Sequence, residues 1–181
     1  EPTIGEPLEL ATGTDHSCAK WRTRGAVWCW GNNYYNQLGQ EGPSDARFTN
    51  PVPVDLGSSE NGAVQITAGW YFTCALRKDN SVWCWGRNDK RQLGRDDGTD
   101  GGSPAAVSFP PEAGTIIELS ARLDHTCARN EHGAVFCWGD NSNGQIDTNV
   151  SPFAARTPQS IPLPSPAVEV RAGAAHSCAR T

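Results

Sequence analysis

The chain has 181 residues, 15 basic and 20 acidic side chains, a net charge of -5 and 37% hydrophobic content. That balance argues against a dominant nucleic-acid surface, which needs a basic stripe. No run approaches the roughly 18 apolar residues of a membrane span, and no signal peptide is recognisable.

Nineteen glycines and 13 prolines, with Trp, Val and Thr in short runs, favour strands joined by tight turns. In chain order the first clear element is HSCAK from His16, then a polar turn around Thr23 and the strand VWCW from Val27. The second stretch reads as four strands: PVPVDL from Pro51, VQITAG from Val64, FTCALR from Phe72 and SVWCWG from Ser81. Its turns fall at Asn61-Gly62 and Lys78-Asp79-Asn80. HTCARNEHGAVFCWGDN from His125 repeats the pattern, and HSCAR from His176 begins it again.

The leading cysteines, Cys18, Cys74, Cys127 and Cys178, are 56, 53 and 51 residues apart. A period in the fifties is long for a helical solenoid and suits a propeller blade. The expected units are 1–50, 51–103 and 104–157, with 158–181 a partial fourth. The absence of methionine and the break inside the fourth unit imply a processed chain or a fragment of a longer one.

Within a unit, alternation sends Trp83 and Trp85 to one face of their strand and Val82 and Cys84 to the other. Both faces are apolar, so the strand should lie between neighbouring blades. Gly31, Gly86 and Gly139 follow the tryptophan where a turn or bulge is expected. Asn33, Asn88 and Asn141 are suited to hydrogen-bonding the local backbone.

Seven cysteines fall as Cys18 with Cys29, Cys74 with Cys84, Cys127 with Cys137, and Cys178 alone. Each pair flanks a turn, which places its members on adjacent antiparallel strands within reach of a disulfide. Free buried thiols and a metal site are the competing readings, and the spacing is not that of a zinc site. Disulfides would imply an oxidising compartment, so a secreted, periplasmic or cell-surface location is expected. Cys178 is then left unpaired within this chain.

The units GTDHSCAK with GAVWCWGNNYYNQLG, GWYFTCAL with NSVWCWGRNDKRQLG, RLDHTCAR with GAVFCWGDNSNGQID, and GAAHSCAR resemble the regulator of chromosome condensation repeat family. Its units read approximately Gly-x-x-His-(Ser/Thr)-x-Ala-Leu, then Gly-x-Val-(Trp/Tyr)-x-Trp-Gly-x-Asn-x-x-Gly-Gln-Leu-Gly. The resemblance implies an all-β fold, a β-propeller of four-stranded antiparallel blades, with about three and a half of seven blades present. The rest of the ring would come from a larger parent chain or a second chain. Phe72 stands where other units have His, Arg122 where they have Gly, and Asp147 where the first two have Gly, so the turns of unit three should differ.

His16, His125 and His176 recur once per unit, which marks them as structural hydrogen-bonding groups rather than a metal or catalytic set. Asp15, His16 and Ser17 cannot form a catalytic triad, because alternation points Asp15 and Ser17 away from His16. No nucleophile elbow, phosphate loop, zincin motif or dinucleotide fingerprint is present. Neither an enzyme activity nor a cofactor is therefore expected. Asp96 to Asp100 and Asp140 to Asp147 cluster oxygen ligands without the EF-hand spacing, and Asn149-Val150-Ser151 fits a glycosylation acceptor.

Positions that vary while the scaffold stays fixed are the better site candidates. They fall in the pair before each recurrent His or Phe and the pair after each recurrent Asn, and the contact candidates among them are Asp15, Tyr34, Tyr35, Trp70, Tyr71, Asp89, Lys90 and Asp124. Protein-binding members of the family use loops at corresponding places, which implies a protein partner contacted through aromatic anchors. Carbohydrate or metal binding and a guanine-nucleotide exchange or chromatin role are the alternatives. The acidic balance and the cysteine pairs disfavour the last of these.

Overall fold

A computed structural model describes residues 6–43, 47–95, 101–147 and 153–181. Short β-rich runs separated by Gly- and Asn-bearing turns give 14 strands among them, joined in places by single 3-10 turns. The first sheet is β1 (Pro7–Thr12), β2 (His16–Trp21), β3 (Val27–Asn32) and β4 (Arg47–Pro53), antiparallel in chain order. The second is β5 (Ala63–Ala68), β6 (Phe72–Arg77), β7 (Val82–Arg87) and β8 (Gly101–Ala106). The third is β9 (Ile116–Arg122), β10 (His125–Asn130), β11 (Val135–Asp140) and β12 (Ala154–Ile161). A pair, β13 (Glu169–Ala172) and β14 (Ser177–Arg180), opens a fourth. This is the succession of blades expected of a propeller.

One strand belongs elsewhere than the sequence suggests. PVPVDL from Pro51 does not open the second sheet: Pro53 pairs with Trp28 and Val52 with Cys29, so it closes the first. The expected boundaries at 50/51, 103/104 and 157/158 accordingly each cut through an outer strand. A sequence repeat fixes the period but not its starting phase, and hydrogen bonds to the preceding tryptophan strand set that phase.

The middle hairpins carry the cysteines directly opposite one another, Cys18 to Cys29, Cys74 to Cys84 and Cys127 to Cys137. All three pairs are disulfide-bonded, with Cα atoms 4.1 Å apart. Cys178 is an exposed free thiol. Gly31, Gly86 and Gly139 have φ of 109°, 104° and 102°, where a side chain would run into the carbonyl oxygens of Asp15, Tyr71 and Asp124. In unit three the expected change of turn is present: Arg122 stays in the strand and Leu123 takes φ 45°.

The sheets bury apolar side chains between them. Trp85, Leu38, Val27 and Ile66 lie in the cluster between the first and second sheets. Phe72, Leu93, Trp138, Phe136 and Val170 lie in the cluster that runs on to the fourth. Complete burial of such side chains stabilises by roughly 1.5–3 kcal/mol each. The inner strands are also stitched by polar groups: Gln65 donates to the Leu119 carbonyl at 2.9 Å and accepts from its N–H at 2.8 Å.

Candidate functional site

Alternation at one end of each hairpin separates seam from rim. His16 is buried, while Asp15, one residue earlier, is exposed. His16 Nε2 lies 2.8 Å from Thr73 Oγ1 in the next sheet, and that hydroxyl donates to the Gln37 carbonyl at 3.1 Å. A hydroxyl has one proton, so His16 Nε2 is the donor to Thr73. The same chain recurs in the third seam, where His125 Nε2 is 3.1 Å from Ser177 Oγ and Ser177 donates to the Gln145 carbonyl at 2.8 Å. Burial lowers the pKa of both imidazoles to about 4, so both are neutral at physiological pH. His176 is exposed.

The middle seam differs. Phe72 fills the histidine position, fully buried, and the Thr126 hydroxyl that would meet an imidazole is buried with no hydrogen-bond partner among the described residues. The Asp15, His16, Ser17 trio is no triad, since His16 spends its Nε2 on Thr73.

Above the seams, one loop scaffold is used three times. Asn33 Oδ1 accepts from Leu38 N, Asn88 Oδ1 from Leu93 N and Asn141 Oδ1 from Ile146 N. Gln37, Gln92 and Gln145 accept from the backbone N–H of Tyr35, Lys90 and Asn143, each at 2.8 Å. The Gln37 and Gln92 carbonyls then receive the indole N–H of Trp85 and Trp138 from the next sheet, both at 2.9 Å. A fixed asparagine and glutamine thus hold up two side chains that are free to differ.

Those side chains form two halves of a rim. In the aromatic half Tyr34 meets Tyr35 edge-on at 4.7 Å, Tyr35 meets Tyr71 at 5.3 Å, and Trp70 stacks on Tyr71 at 5.4 Å. Tyr34 is 55% and Trp70 37% exposed, which is a large apolar area to leave in water. Burial and the Asp15 carboxylate nearby raise the Tyr71 phenol. The charged half begins at Arg87, whose guanidinium lies 5.4 Å from the Tyr35 ring and pairs with Asp89 and, at 3.8 Å, with Asp124. Lys90 pairs with Asp140 at 3.9 Å. Burial, with Asp89 and Asp140 adding like charge, raises Asp124 above the usual carboxylate range despite Arg87 and Lys90.

All eight proposed contact residues therefore lie in this rim, which is contiguous from Tyr34 to Asp140. Arg87 and Asp140 belong to it as well, although the sequence marks Asp140 only as the start of an acidic run and Arg87 not at all. Their signal was available: the position between the glycine and the asparagine holds Asn32, Arg87 and Asp140 in turn, varying like its neighbours. The acidic run beginning at Asp140 is partly engaged internally, Asp140 Oδ2 accepting from Ser142 and Gln145. Among the described residues no group of three His, Cys, Asp or Glu is placed to hold a metal. Asp96 to Asp100 and Asn149-Val150-Ser151 lie outside the described residues.

Comparison with known proteins agrees with this architecture. The sequence profile of the regulator of chromosome condensation (RCC1) repeat matches residues 24–76, 79–129 and 132–180. The Ultraviolet-B receptor UVR8 of Arabidopsis thaliana is 34% identical over 146 residues, 80% of this chain and 32% of its own length. Protein pim1 of Schizosaccharomyces pombe is 29% identical over 204 residues, spanning 100% of this chain and 37% of its own length. The crystal structure of Prp20p from Saccharomyces cerevisiae superposes with a TM-score of 0.81 at 25% identity, covering 98% of this chain and 44% of that one. The chain thus spans about a third of the two curated relatives and less than half of the solved one. With its four-stranded sheets, its hairpin repeats and three successive profile matches that together span most of its length, the chain belongs to the regulator of chromosome condensation (RCC1) repeat family.

Proposed function

We propose that this chain is a non-enzymatic protein-interaction module, part of a β-propeller whose rim of Tyr34, Tyr35, Trp70, Tyr71 and Arg87 contacts a protein partner. The observation that carries the reading is the contrast within each repeat. Asparagine, glutamine and tryptophan are kept to build the loop, and the exposed pair it supports is replaced freely. Exposed aromatics beside an arginine are the side chains that most often anchor interfaces. Prp20p, a structural neighbour, is described with its binding to Gsp1p and histones, which supports a protein-binding use of the fold.

The same likeness keeps an exchange-factor or chromatin-type role as the second reading, against the acidic balance that disfavours it. The three hairpin disulfides support a secreted, periplasmic or cell-surface setting. Mass spectrometry of the non-reduced protein from its native source tests this, and free thiols at Cys18, Cys74 and Cys127 would sink it. For the interface, hydroxyl-radical footprinting of a captured complex should protect Tyr34, Trp70 and Tyr71 while Phe153, also exposed, stays reactive. Protection confined to other surfaces would reject the rim.

A further inference from the structure

We infer that the charged half of the rim receives a cationic side chain, an arginine or lysine of the protein partner, seated against Asp140 and Asp124. This rests on the rim being the interface. Asp140 is only 9% exposed. Its Oδ2 accepts from Ser142 Oγ at 2.8 Å and Gln145 Nε2 at 2.7 Å, whereas its Oδ1 is buried and, among the described residues, accepts no hydrogen bond. A desolvated carboxylate oxygen without a donor is costly, so a donor brought from outside gains more there than at a solvated acid.

The chain's own cation does not meet that need. Lys90 Nζ stands 3.9 Å from Asp140 Oδ1, beyond hydrogen-bonding distance, on a side chain 46% exposed. Arg87 is committed elsewhere, to Asp89, to Asp124 and to the aromatic rings. Asp89, Asp124 and Asp140 share these two cations, and their mutual repulsion helps raise Asp124. An added guanidinium would satisfy Asp140 Oδ1, relieve that repulsion and displace only a half-exposed lysine. Its planar fork can engage two carboxylates at once, which favours arginine over lysine.

The test is a nitrogen-15 NMR titration of the chain with three probes: N-acetyl-arginine amide, the neutral isostere N-acetyl-citrulline amide, and N-acetyl-tryptophan amide. The arginine probe should shift the amides of Asp140, Ser142 and Gln145 saturably, with citrulline at least about fivefold weaker, as for a charge-assisted bond. Asp140→Asn should weaken the arginine probe about threefold to tenfold, and Lys90→Ala should tighten it about threefold by removing a competing cation. The Lys90 variant keeps the test decisive if Asp140→Asn fails to fold. Equal binding of arginine and citrulline, or no gain in Lys90→Ala, overturns the inference. If only the tryptophan probe binds, shifting the Trp70 indole resonance, the cation site is wrong while the rim stands; silence of all three overturns both.

Discussion

Asp15 and His16 are neighbours in sequence, yet one faces water at the rim and the other is sealed in the seam between sheets. Tyr71 with Phe72 and Asp124 with His125 divide in the same sense, the first of each pair half-buried at the rim and the second fully buried. In the seams a small set of solutions recurs: histidine, hydroxyl and glutamine carbonyl twice, phenylalanine once. On the rim nothing recurs except the loop that holds the side chains up. The difference teaches where to look for function in a repeat protein: recurrence is a requirement of stacking, and departure from it at exposed positions is open to selection by a partner.

Substitutions can break this comparison from the seam side first. Replacing Cys74 and Cys84 together with alanine should cost about 2–5 kcal/mol of stability by denaturant unfolding, the range for losing a native disulfide. A folded variant should keep its rim. Lowering pH should act next: the unfolded histidines titrate near 6.5 and the folded ones near 4. Between these values the unfolded chain binds more protons, so stability is full above about pH 6.5 and declines as pH falls toward 4, by at most about 3 kcal/mol per histidine. His16→Phe should remove about half of that slope, which a pH series of unfolding midpoints will show.

A pair of conservative changes then sharpens the contrast between seams. Thr73→Val removes a hydroxyl that accepts from His16 and donates to Gln37, and should destabilise by about 1–3 kcal/mol. Thr126→Val removes a buried hydroxyl with no partner among the described residues, and should be neutral or stabilising by up to about 1 kcal/mol. Equal losses from both would show that the histidine chain is not what distinguishes the seams. The smallest effect on stability should come from the rim, where Trp70→Ala should shift unfolding by no more than about 1 kcal/mol.

Much of this was legible in the sequence, for reasons that particular residues make plain. The cysteine pairs are local, ten or eleven residues apart, so a hairpin alone brings them together. The recurrent Asn side chains likewise act within one loop. The pairing of His16 with Thr73 spans 57 residues and a sheet boundary, and no local pattern announces it. PVPVDL reads as the opening strand of the second unit yet closes the first sheet, because an outer strand is defined by the neighbour it bonds, which its own residues do not name. Arg87 and Asp140 varied between repeats as visibly as Trp70 or Lys90, and only the geometry showed that their position shares the rim.

The most direct measurement is the affinity of a captured partner for the chain and for the Trp70→Ala, Tyr71→Ala variant, each first shown to unfold at a comparable midpoint. A loss of at least about tenfold, as expected when interface anchors are truncated, is the predicted result. Unchanged affinity in the folded variant would place the interface elsewhere and contradict the account.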